Sequence, residues 1–535
     1  GTSIGALIGG MYAAGYSPAE IETILTSDYY RKLAEGEIED KYIYFFRKPA
    51  PNASWFSFRF NSDSNFLQSS IPTSFINPSA LDIEMMNLLG PASMQAGYNF
   101  DSLFVPFRCV ASNIEDKSTI VFDNGNLNRT IRASMSYPLY IEPLMVDGKL
   151  LFDGGLYNNF PTDVMREVFD PEVIIGSNVS SNEDPPKEGD AISQLRNLVV
   201  SKTNYSLEAE CCVLIEPLVK FGTFDFNHAP ENVSSGYKAA MAEMDDIKQK
   251  VHRRVHSKVV QERRDEFNRH KEPLAFHDIE YRGLTKSQAA YVGLVLKPKK
   301  NSSLQMEELR TGYYRLLESD KIYRIFPYPK WVKADSSYKL TLEIRKEKNL
   351  LIEFGGNIAS RPITTGYVGI GYSAMNNTGT SFYANTYFGK LYSSLSGTGR
   401  IDIPTRFPIY LEIAGALNRW NYYESRATFF ENNNSLFLIQ NEQYGQVGFS
   451  FAISNKTKIS FNGGAVSLKD DYYQTSNFGS ESIQDITVFG GQTLNLAFEK
   501  NSLNKKQYAN SGTLFSLSAR YTEGDETYTP GTTSL

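Results

Sequence analysis

Histidine is scarce in this chain of 535 residues, and the five histidines present all lie beyond residue 227. The three cysteines are an odd number with two of them adjacent, so Cys109, Cys211 and Cys212 predict neither a disulfide framework nor a zinc site. No run of about 18 apolar residues is present, which excludes a transmembrane helix. The net charge of −6 gives no sign of a nucleic-acid partner, and we expect none. The sequence implies no metal and no other cofactor.

The chain is too long for a single core, so we expect two to four domains. Hydrophobic residues make up 41% of it, which allows a sizeable core. Aromatic residues make up 13%, mostly 33 Tyr and 34 Phe. Tyrosine, glycine and asparagine are densest in the last third, where long helical patterns are absent. This change in composition predicts that the last third has a different fold from the rest.

The first five residues carry the most informative motif. They read Gly1, Thr2, Ser3, Ile4, Gly5, which is the G-x-S-x-G pattern of a nucleophile elbow. Glycines keep side chains away from such a turn. The following residues, Ala6–Ala14, fit a helix whose first-turn amides and positive dipole end would face the serine and could hold an oxyanion. The alternative is a tight turn before a core helix.

A second motif follows two apolar strand residues and reads Asp153-Gly154-Gly155. It places a carboxylate at the end of a strand, in a loop free of large side chains. The alternative is an ordinary Asp-Gly turn. Across residues 1–240 predicted strands alternate with predicted helices, which indicates an α/β domain.

The distribution of histidine narrows the choice of base for Ser3. A Ser-His-Asp triad finds no imidazole before His228. An aspartate that acts directly on the serine is the simplest remaining choice, and a triad based on His228 stays open as an alternative.

These residues together resemble the patatin-like phospholipases, which use a Ser-Asp dyad without histidine. The elbow and the Asp-Gly-Gly motif match that family, as do Arg132-Ala133-Ser134 with Pro138 and the helix around Gly236–Ala240. The resemblance covers about residues 1–240. It implies that Ser3 is the nucleophile, that Asp153 is the general base, and that the Ile4 N–H is an oxyanion donor. The implied reaction is hydrolysis of a phospholipid or another lipid ester through an acyl-enzyme.

One departure from the family concerns its glycine-rich oxyanion loop, which precedes the elbow. This chain begins after that loop, so we expect the domain to be N-terminally truncated. Loss of an oxyanion donor typically costs about 10²–10³ in rate. We therefore expect residues 1–535 alone to be inactive or poorly folded at their start.

Residues 241–274 predict a charged linker helix, Met241–Arg269, with a single apolar stripe. Such a helix either packs one face and is otherwise solvated, or contacts anionic lipid headgroups. Residues 275–349 then predict the order β-α-α-β-β. This order resembles a polypeptide-transport-associated domain, of the kind that precedes certain outer-membrane barrels in the periplasm. A generic small α+β domain is the alternative.

Residues 350–535 alternate between apolar and small or polar side chains, as in Ile409, Leu411 and Ile413. The pattern is typical of an antiparallel transmembrane β-barrel, and a soluble β-sandwich is the alternative. We expect eight or nine strands. The segment resembles the outer-membrane insertase and two-partner-secretion barrels, which have sixteen, so the barrel is expected to be incomplete here.

The sequence thus predicts a lipid acyl hydrolase of the phospholipase A or esterase kind, attached to an outer-membrane barrel. The expected place is the outer membrane of a Gram-negative bacterium, in contact with its lipids, with the hydrolase domain periplasmic or exposed at the surface. The alternative is a secretion or assembly protein whose hydrolase-like domain is a passenger or is inactive.

Overall fold

The computed structural model of the chain describes residues 1–47, 51–61, 74–182, 184–296, 303–332, 337–359, 363–405, 408–422, 437–475 and 481–532. No helix in these ranges combines the length and the hydropathy needed to cross a bilayer.

The N-terminal segment mixes helices with short strands. Its helices are Ile4–Ala13, Pro18–Leu25, Asp28–Ala34, Ser79–Gln95, Leu127–Ser134, Thr162–Phe169, Ala191–Val199 and Ala229–Ala242. Its strands are β1 (Ser54–Phe60), β2 (Ser74–Ile76), β3 (Cys109–Asn113), β4 (Ser118–Phe122), β5 (Leu139–Ile141), β6 (Leu144–Val146), β7 (Lys149–Asp153), β8 (Ile175–Ser177) and β9 (Val213–Ile215). The predicted α/β character of this segment is confirmed.

A four-stranded sheet in the order β4-β3-β7-β6 positions the two sequence motifs. Asp153 ends β7 opposite Ala111 on β3. Thr2 forms a parallel bridge to Val110 on the same strand. The elbow and the Asp-Gly-Gly motif therefore lie beside adjacent residues of strand β3. About 150 residues separate the two motifs in the chain.

Residues 275–346 form a second unit with the predicted order. Strand β10 (Ala275–Arg282) is followed by helices Lys286–Leu296 and Met306–Leu317, with the short β11 (Leu304–Gln305) between them, and then by β12 (Ile322–Val332) and β13 (Ser337–Lys346). The sheet order is β11-β10-β13-β12, and β10 lies parallel to β13. We call residues 275–346 the small domain.

The small domain and the N-terminal segment share one hydrophobic core. Leu7, Met11 and Ile83 of the N-terminal segment belong to the same buried cluster as Phe276 and Leu340 of the small domain. Polar contacts cross the joint as well. The Tyr313 hydroxyl donates to the carbonyl of Ser79 at 2.8 Å, and the Ile325 N–H donates to the Ser79 hydroxyl at 3.2 Å. The two segments therefore pack as one body.

The prediction of one long helix over Met241–Arg269 is wrong. Three helices, Ala229–Ala242, Met244–Lys250 and Ser257–Arg269, span this part of the chain. Val251 takes an extended conformation after the second helix, and His256 caps the third by accepting from the Lys258 N–H. A helical stripe of apolar residues continued through this break, so periodicity alone could not reveal it.

The last of these helices packs against the N-terminal segment. Its Arg264 is 5% exposed and its guanidinium lies over the rings of Tyr12 and Phe104, at 5.5 and 4.9 Å from their centres. The Asn268 amide donates to the carbonyl of Gly15 at 3.1 Å. Cation–π contact and a backbone hydrogen bond therefore hold a helix whose composition suggested a linker.

The rest of the chain forms a large antiparallel sheet that resembles a barrel wall. Its strands are β14 (Leu350–Asn357), β15 (Thr365–Met375), β16 (Gly379–Gly389), β17 (Tyr392–Ile403), β18 (Ile409–Asn421), β19 (Phe437–Ser454), β20 (Thr457–Tyr472), β21 (Asp485–Asn501) and β22 (Leu514–Thr529). These nine strands, counted over the described residues of this segment, agree with the eight or nine that the sequence predicts. Each pairs with its neighbour in sequence.

A tenth strand of this sheet comes from the N-terminal segment. Strand β1 pairs antiparallel with β14, with Phe58 opposite Ile352. The alternation of residues 55–60 predicts a strand, but a period-two pattern does not identify its partner. The backbone partners of β1 lie nearly 300 residues away in the chain.

One end of the large sheet contacts the other two segments. The Gln288 amide of the small domain donates to the carbonyl of Met375 at 3.1 Å. Lys321 pairs with Asp402 at 3.2 Å. The Asn455 amide, in the turn between β19 and β20, donates to the carbonyl of Lys41 at 2.6 Å. The N-terminal segment and the small domain therefore lie together at this end of the sheet.

Candidate functional site

Ser3 sits at a sharp turn between the Thr2 bridge and the helix Ile4–Ala13. Its backbone angles, φ 52° and ψ −124°, are unusual for a residue other than glycine. Such strain is typical of a nucleophile elbow, where the turn holds the side chain away from the backbone. The Ser3 N–H donates to the Ser134 hydroxyl at 3.0 Å. The Ser134 hydroxyl donates in turn to the carbonyl of Val110 at 2.6 Å, so the strained turn is fixed to β3.

The structure brings Ser3 and Asp153 together. The Ser3 hydroxyl donates to Asp153 Oδ2 at 2.5 Å. The other carboxylate oxygen, Oδ1, accepts from the Gly155 N–H at 2.8 Å. The Asp153 N–H donates to the carbonyl of Ser136 at 2.9 Å. The carboxylate is thus fixed on both sides and directed at the serine.

Burial changes the acidity of this carboxyl group. Asp153 is 3% exposed. Desolvation raises the pKa of Asp153 from 3.8 to about 6, against the opposing effects of the hydrogen bonds from Ser3 and Gly155. A carboxylate with a pKa near 6 is a better proton acceptor close to neutral pH than an exposed aspartate.

The first-turn amides of the elbow helix differ in their partners. The Gly5 and Ala6 N–H groups donate to the carbonyl of Thr2 at 2.9 and 3.3 Å, and the Ser3 N–H is taken by Ser134. For the Ile4 N–H, no acceptor occurs within the described part of the chain. The Ile4 N–H, which the sequence predicts as the oxyanion donor, therefore has no competing acceptor among the described residues.

Close backbone packing explains two of the motif glycines. A Cβ on Gly154 would lie 2.2 Å from the carbonyl oxygen of Val110, and one on Gly1 would lie 2.5 Å from that of Gly5. A Cβ on Gly155 would approach Asn159 and the Asp153 carboxylate at 2.8 and 3.0 Å. A Cβ on Gly5 would meet no atom of the described residues within 4 Å, so crowding does not require glycine there.

The resemblance pointed to Arg132, and the structure shows what it contacts. Its guanidinium is fully buried and donates to Asp82 Oδ1 at 2.8 Å, to the Ser136 hydroxyl at 2.7 Å and to the carbonyl of Glu142 at 3.0 Å. Ser136 is the residue whose carbonyl holds the Asp153 N–H. Sequence reasoning missed Asp82, Ser136 and Glu142, since each has an ordinary local context.

His228 lies elsewhere. Its Nδ1 contacts Asp225 Oδ2 at 2.8 Å, and its ring stacks on Phe221 with centres 3.9 Å apart. In the described ranges no hydrogen bond joins it to Ser3 or Asp153. The geometry therefore favours the dyad over a triad based on this histidine. Among the described residues, no group of three or more His, Cys, Asp or Glu side chains is arranged to hold a metal ion.

Comparison with known families identifies residues 1–166 with a family model described as patatin-like phospholipase. Patatin-like phospholipase domain-containing protein 7 of Mus musculus is 29% identical over 170 residues, covering 26% of this chain and 12% of that protein. The domain-containing protein ZK370.4 of Caenorhabditis elegans is 30% identical over 192 residues, covering 34% and 11%. Lysophospholipase NTE1 of Mycosarcoma maydis is 29% identical over 180 residues, covering 28% and 9%. The matched stretch spans less than a fifth of each relative.

Two solved structures show a weaker likeness. BamA from Haemophilus ducreyi lacking POTRA domains 1–3 aligns with a TM-score of 0.37 and 12% identity, covering 47% of this chain and 48% of that one. CdiB from Acinetobacter baumannii aligns with a TM-score of 0.28 and 12% identity, covering 66% and 61%.

Proposed function

We propose that the patatin-like phospholipase domain formed by residues 1–166 hydrolyses lipid esters with Ser3 as nucleophile and Asp153 as general base. The observation that carries the proposal is the 2.5 Å hydrogen bond from the Ser3 hydroxyl to Asp153 Oδ2. It links a strained serine to a buried carboxylate whose pKa lies near 6. These are the features that activate a serine hydroxyl without histidine.

The reaction follows from this geometry. As Ser3 Oγ attacks the ester carbonyl, its proton passes to Asp153 Oδ2, and the Ile4 N–H donates to the developing oxyanion. Asp153 then gives the proton to the departing alcohol, which leaves the acyl group on Ser3. A water molecule attacks the acyl-enzyme while Asp153 accepts its proton. As the second intermediate collapses, Asp153 returns that proton to Ser3 Oγ and the fatty acid is released.

We further propose that the large sheet anchors this domain in the outer membrane, as part of a β-barrel. Alternate side chains of the sheet are large, apolar and exposed: Ile370 is 53% exposed, Phe382 58% and Ile413 58%. The opposite face buries polar groups such as Glu353 and Asp402. An exposed apolar band over a polar interior suits a wall that faces lipid, whereas a sandwich would bury its apolar face.

The alternative is a secretion or assembly protein whose hydrolase-like domain is a passenger or is inactive. The dyad geometry favours the hydrolase, because a strained serine held 2.5 Å from a buried carboxylate has no evident structural purpose. Activity measurements separate the two.

The test is ester hydrolysis by the full-length protein in lipid vesicles, assayed on phosphatidylcholine and on a soluble p-nitrophenyl ester. Replacement of the nucleophile in Ser3→Ala should remove turnover of both substrates and leave the melting temperature unchanged. Ser235→Ala, which removes an exposed hydroxyl far from the dyad in sequence, is the matched control and should stay active. Hydrolysis that persists in Ser3→Ala contradicts the dyad. Loss of activity in His228→Ala with a normal fold would favour a triad instead.

A further inference from the structure

The helix Leu127–Ser134, which leads towards Asp153, packs against the small domain. Phe326 on β12 is fully buried in a cluster with Ala133 of this helix. The Asn128 amide donates to the carbonyl of Pro327 at 3.2 Å. Arg129 pairs with Glu343 on β13 at 2.9 Å. Residues of the small domain therefore cover one side of the helix that carries Arg132 and Ser134.

Glu142 forms ion pairs between the N-terminal segment and the small domain. Its side chain is 4% exposed, and Arg324 Nη1 on β12 donates to its Oε2 at 2.9 Å. Arg345 on β13 donates to its Oε1. Both cations belong to the small domain, and a carboxylate this deeply buried needs such partners. Withdrawal of the small domain would leave Glu142 unpaired.

From Glu142, a chain of hydrogen bonds leads to the dyad. The Glu142 carbonyl accepts from Arg132 Nη2 at 3.0 Å, and Arg132 Nη1 donates to the Ser136 hydroxyl at 2.7 Å. The Ser136 carbonyl accepts from the Asp153 N–H at 2.9 Å. Every link is buried, so each bond is strong and each lost partner is costly.

We propose that Arg324 and Arg345 of the small domain are positioning residues for ester hydrolysis, because they hold Glu142 and with it the segment 132–142 that fixes Asp153 against Ser3. This inference rests on the proposed function of Ser3 and Asp153. If it is correct, ester hydrolysis requires the small domain to be packed against the N-terminal segment, and the small domain does more than link that segment to the large sheet. A displacement of about 1 Å at such a site can cost about 10²-fold in rate.

The same joint contains a matched ion pair that lies off this route. Arg310 of the small domain makes a bidentate contact with Glu84, at 2.7 and 2.8 Å, and the Glu84 side chain is 6% exposed. Glu84 and Glu142 thus have similar burial and similar arginine partners. No hydrogen bond among the described residues joins Glu84 to Arg132, Ser136 or Asp153.

The experiment compares Glu142→Gln with Glu84→Gln in the full-length protein in detergent micelles, using a soluble p-nitrophenyl ester so that lipid binding plays no part. We expect Glu142→Gln to lower kcat by about 10- to 100-fold with KM changed less than threefold. Glu84→Gln should lose similar thermal stability and keep kcat within twofold. Arg345→Met, which leaves the Arg324 contact in place, should fall between them.

A second measurement follows the backbone itself. Hydrogen exchange of peptides that span residues 132–156 should become faster in Glu142→Gln and stay unchanged in Glu84→Gln. Arg324→Lys should restore part of the kcat that Arg324→Met loses, because a cation near Glu142 is restored.

The outcomes separate this inference from the proposed function. Wild-type kcat in Glu142→Gln, beside an inactive Ser3→Ala, overturns the inference alone. An equal loss in Glu84→Gln overturns it too, because the effect is then general loosening of the joint. Turnover that does not depend on Ser3 contradicts the proposed function, and this inference then fails as well.

Discussion

The joint body of the N-terminal segment and small domain differs from the large sheet in where it puts its apolar side chains. In the first, Leu7, Met11 and Ile83 are at most 1% exposed and lie in one core. In the second, Ile413 and Phe382 are each 58% exposed. An exposed apolar band of this size marks a surface that contacts lipid or another protein, so the contrast supports the proposal that the sheet lies in a bilayer.

The two regions are alike in that their buried charged side chains have polar partners. In one region these side chains lie inside a core, and in the other they lie on one face of a sheet. Arg132 and Asp82 form an ion pair in the core at 2.8 Å. Glu353 accepts from the Tyr383 hydroxyl at 2.5 Å and from the Asn52 amide at 3.0 Å on the inner face of the sheet. These buried charged side chains therefore have partners in both regions. The two regions differ in the side chains that they expose.

Removal of the negative charge on Asp153 should have the strongest effect on hydrolysis. Asp153→Asn keeps the size of the side chain and removes the proton acceptor, so kcat should fall by about 10³-fold or more while the fold remains. Steady-state kinetics on a soluble ester, with circular dichroism as the check on folding, measures it. A loss below tenfold would exclude this carboxylate as the base.

The outward face of the sheet is tested with a charge. Ile413→Arg should destabilise the membrane-folded protein by about 2–4 kcal/mol, because arginine would enter the apolar band. Ala414→Arg, on the opposite face of the same strand, is the control and should cost little. Unfolding in urea from lipid vesicles measures both. Equal effects at the two positions would contradict a lipid-facing wall.

Packing density is tested with two glycines, one from each region. Gly154→Ala would place a methyl group 2.2 Å from the carbonyl oxygen of Val110 and should destabilise the hydrolase domain by about 1–3 kcal/mol. Gly397 on β17 has no atom of the described residues within 4 Å of an added Cβ, so Gly397→Ala should be near neutral. Thermal unfolding of the two variants distinguishes them, and a reversed order would mean that the close contact at Gly154 relaxes freely.

The weakest effect is a pH dependence that arises in the N-terminal segment. Burial raises the pKa of Asp153 to about 6, and only the carboxylate can accept the proton from Ser3. The value of kcat should therefore rise with pH, from about a tenth of its maximum at pH 5 to near its maximum at pH 7. A flat profile between pH 5 and 7 would show that deprotonation of this group does not limit the reaction.

Much of the fold followed from local patterns. The β-α-α-β-β order predicted for residues 275–349 and the eight or nine strands predicted for residues 350–535 both agree with the described residues. The errors arose where partners lie far apart in the chain. The pattern of β1 predicted a strand but not its pairing with β14, and the stripe over Met241–Arg269 could not reveal the break near Val251.

The residues of the candidate site also fall into two groups: those in recognisable motifs and those that only tertiary contacts reveal. Ser3 and Asp153 stand in recognisable motifs, so their chemistry could be predicted, and the structure then placed their side chains 2.5 Å apart. Asp82, Ser136, Glu142 and Arg324 have no local signature. They could be found only from the contacts that bring residues of three separate chain segments to one buried cluster.

The amino-acid sequence was enough to identify the chemical groups and the periodicities, because a hydroxyl, a carboxylate and a repeat of two or 3.6 residues are properties of neighbouring positions. Long-range packing set two further features: the core that the small domain shares with the N-terminal segment, and the addition of β1 to the large sheet. Those choices depend on the area and shape that distant surfaces bury together, and a local pattern is compatible with many such partners.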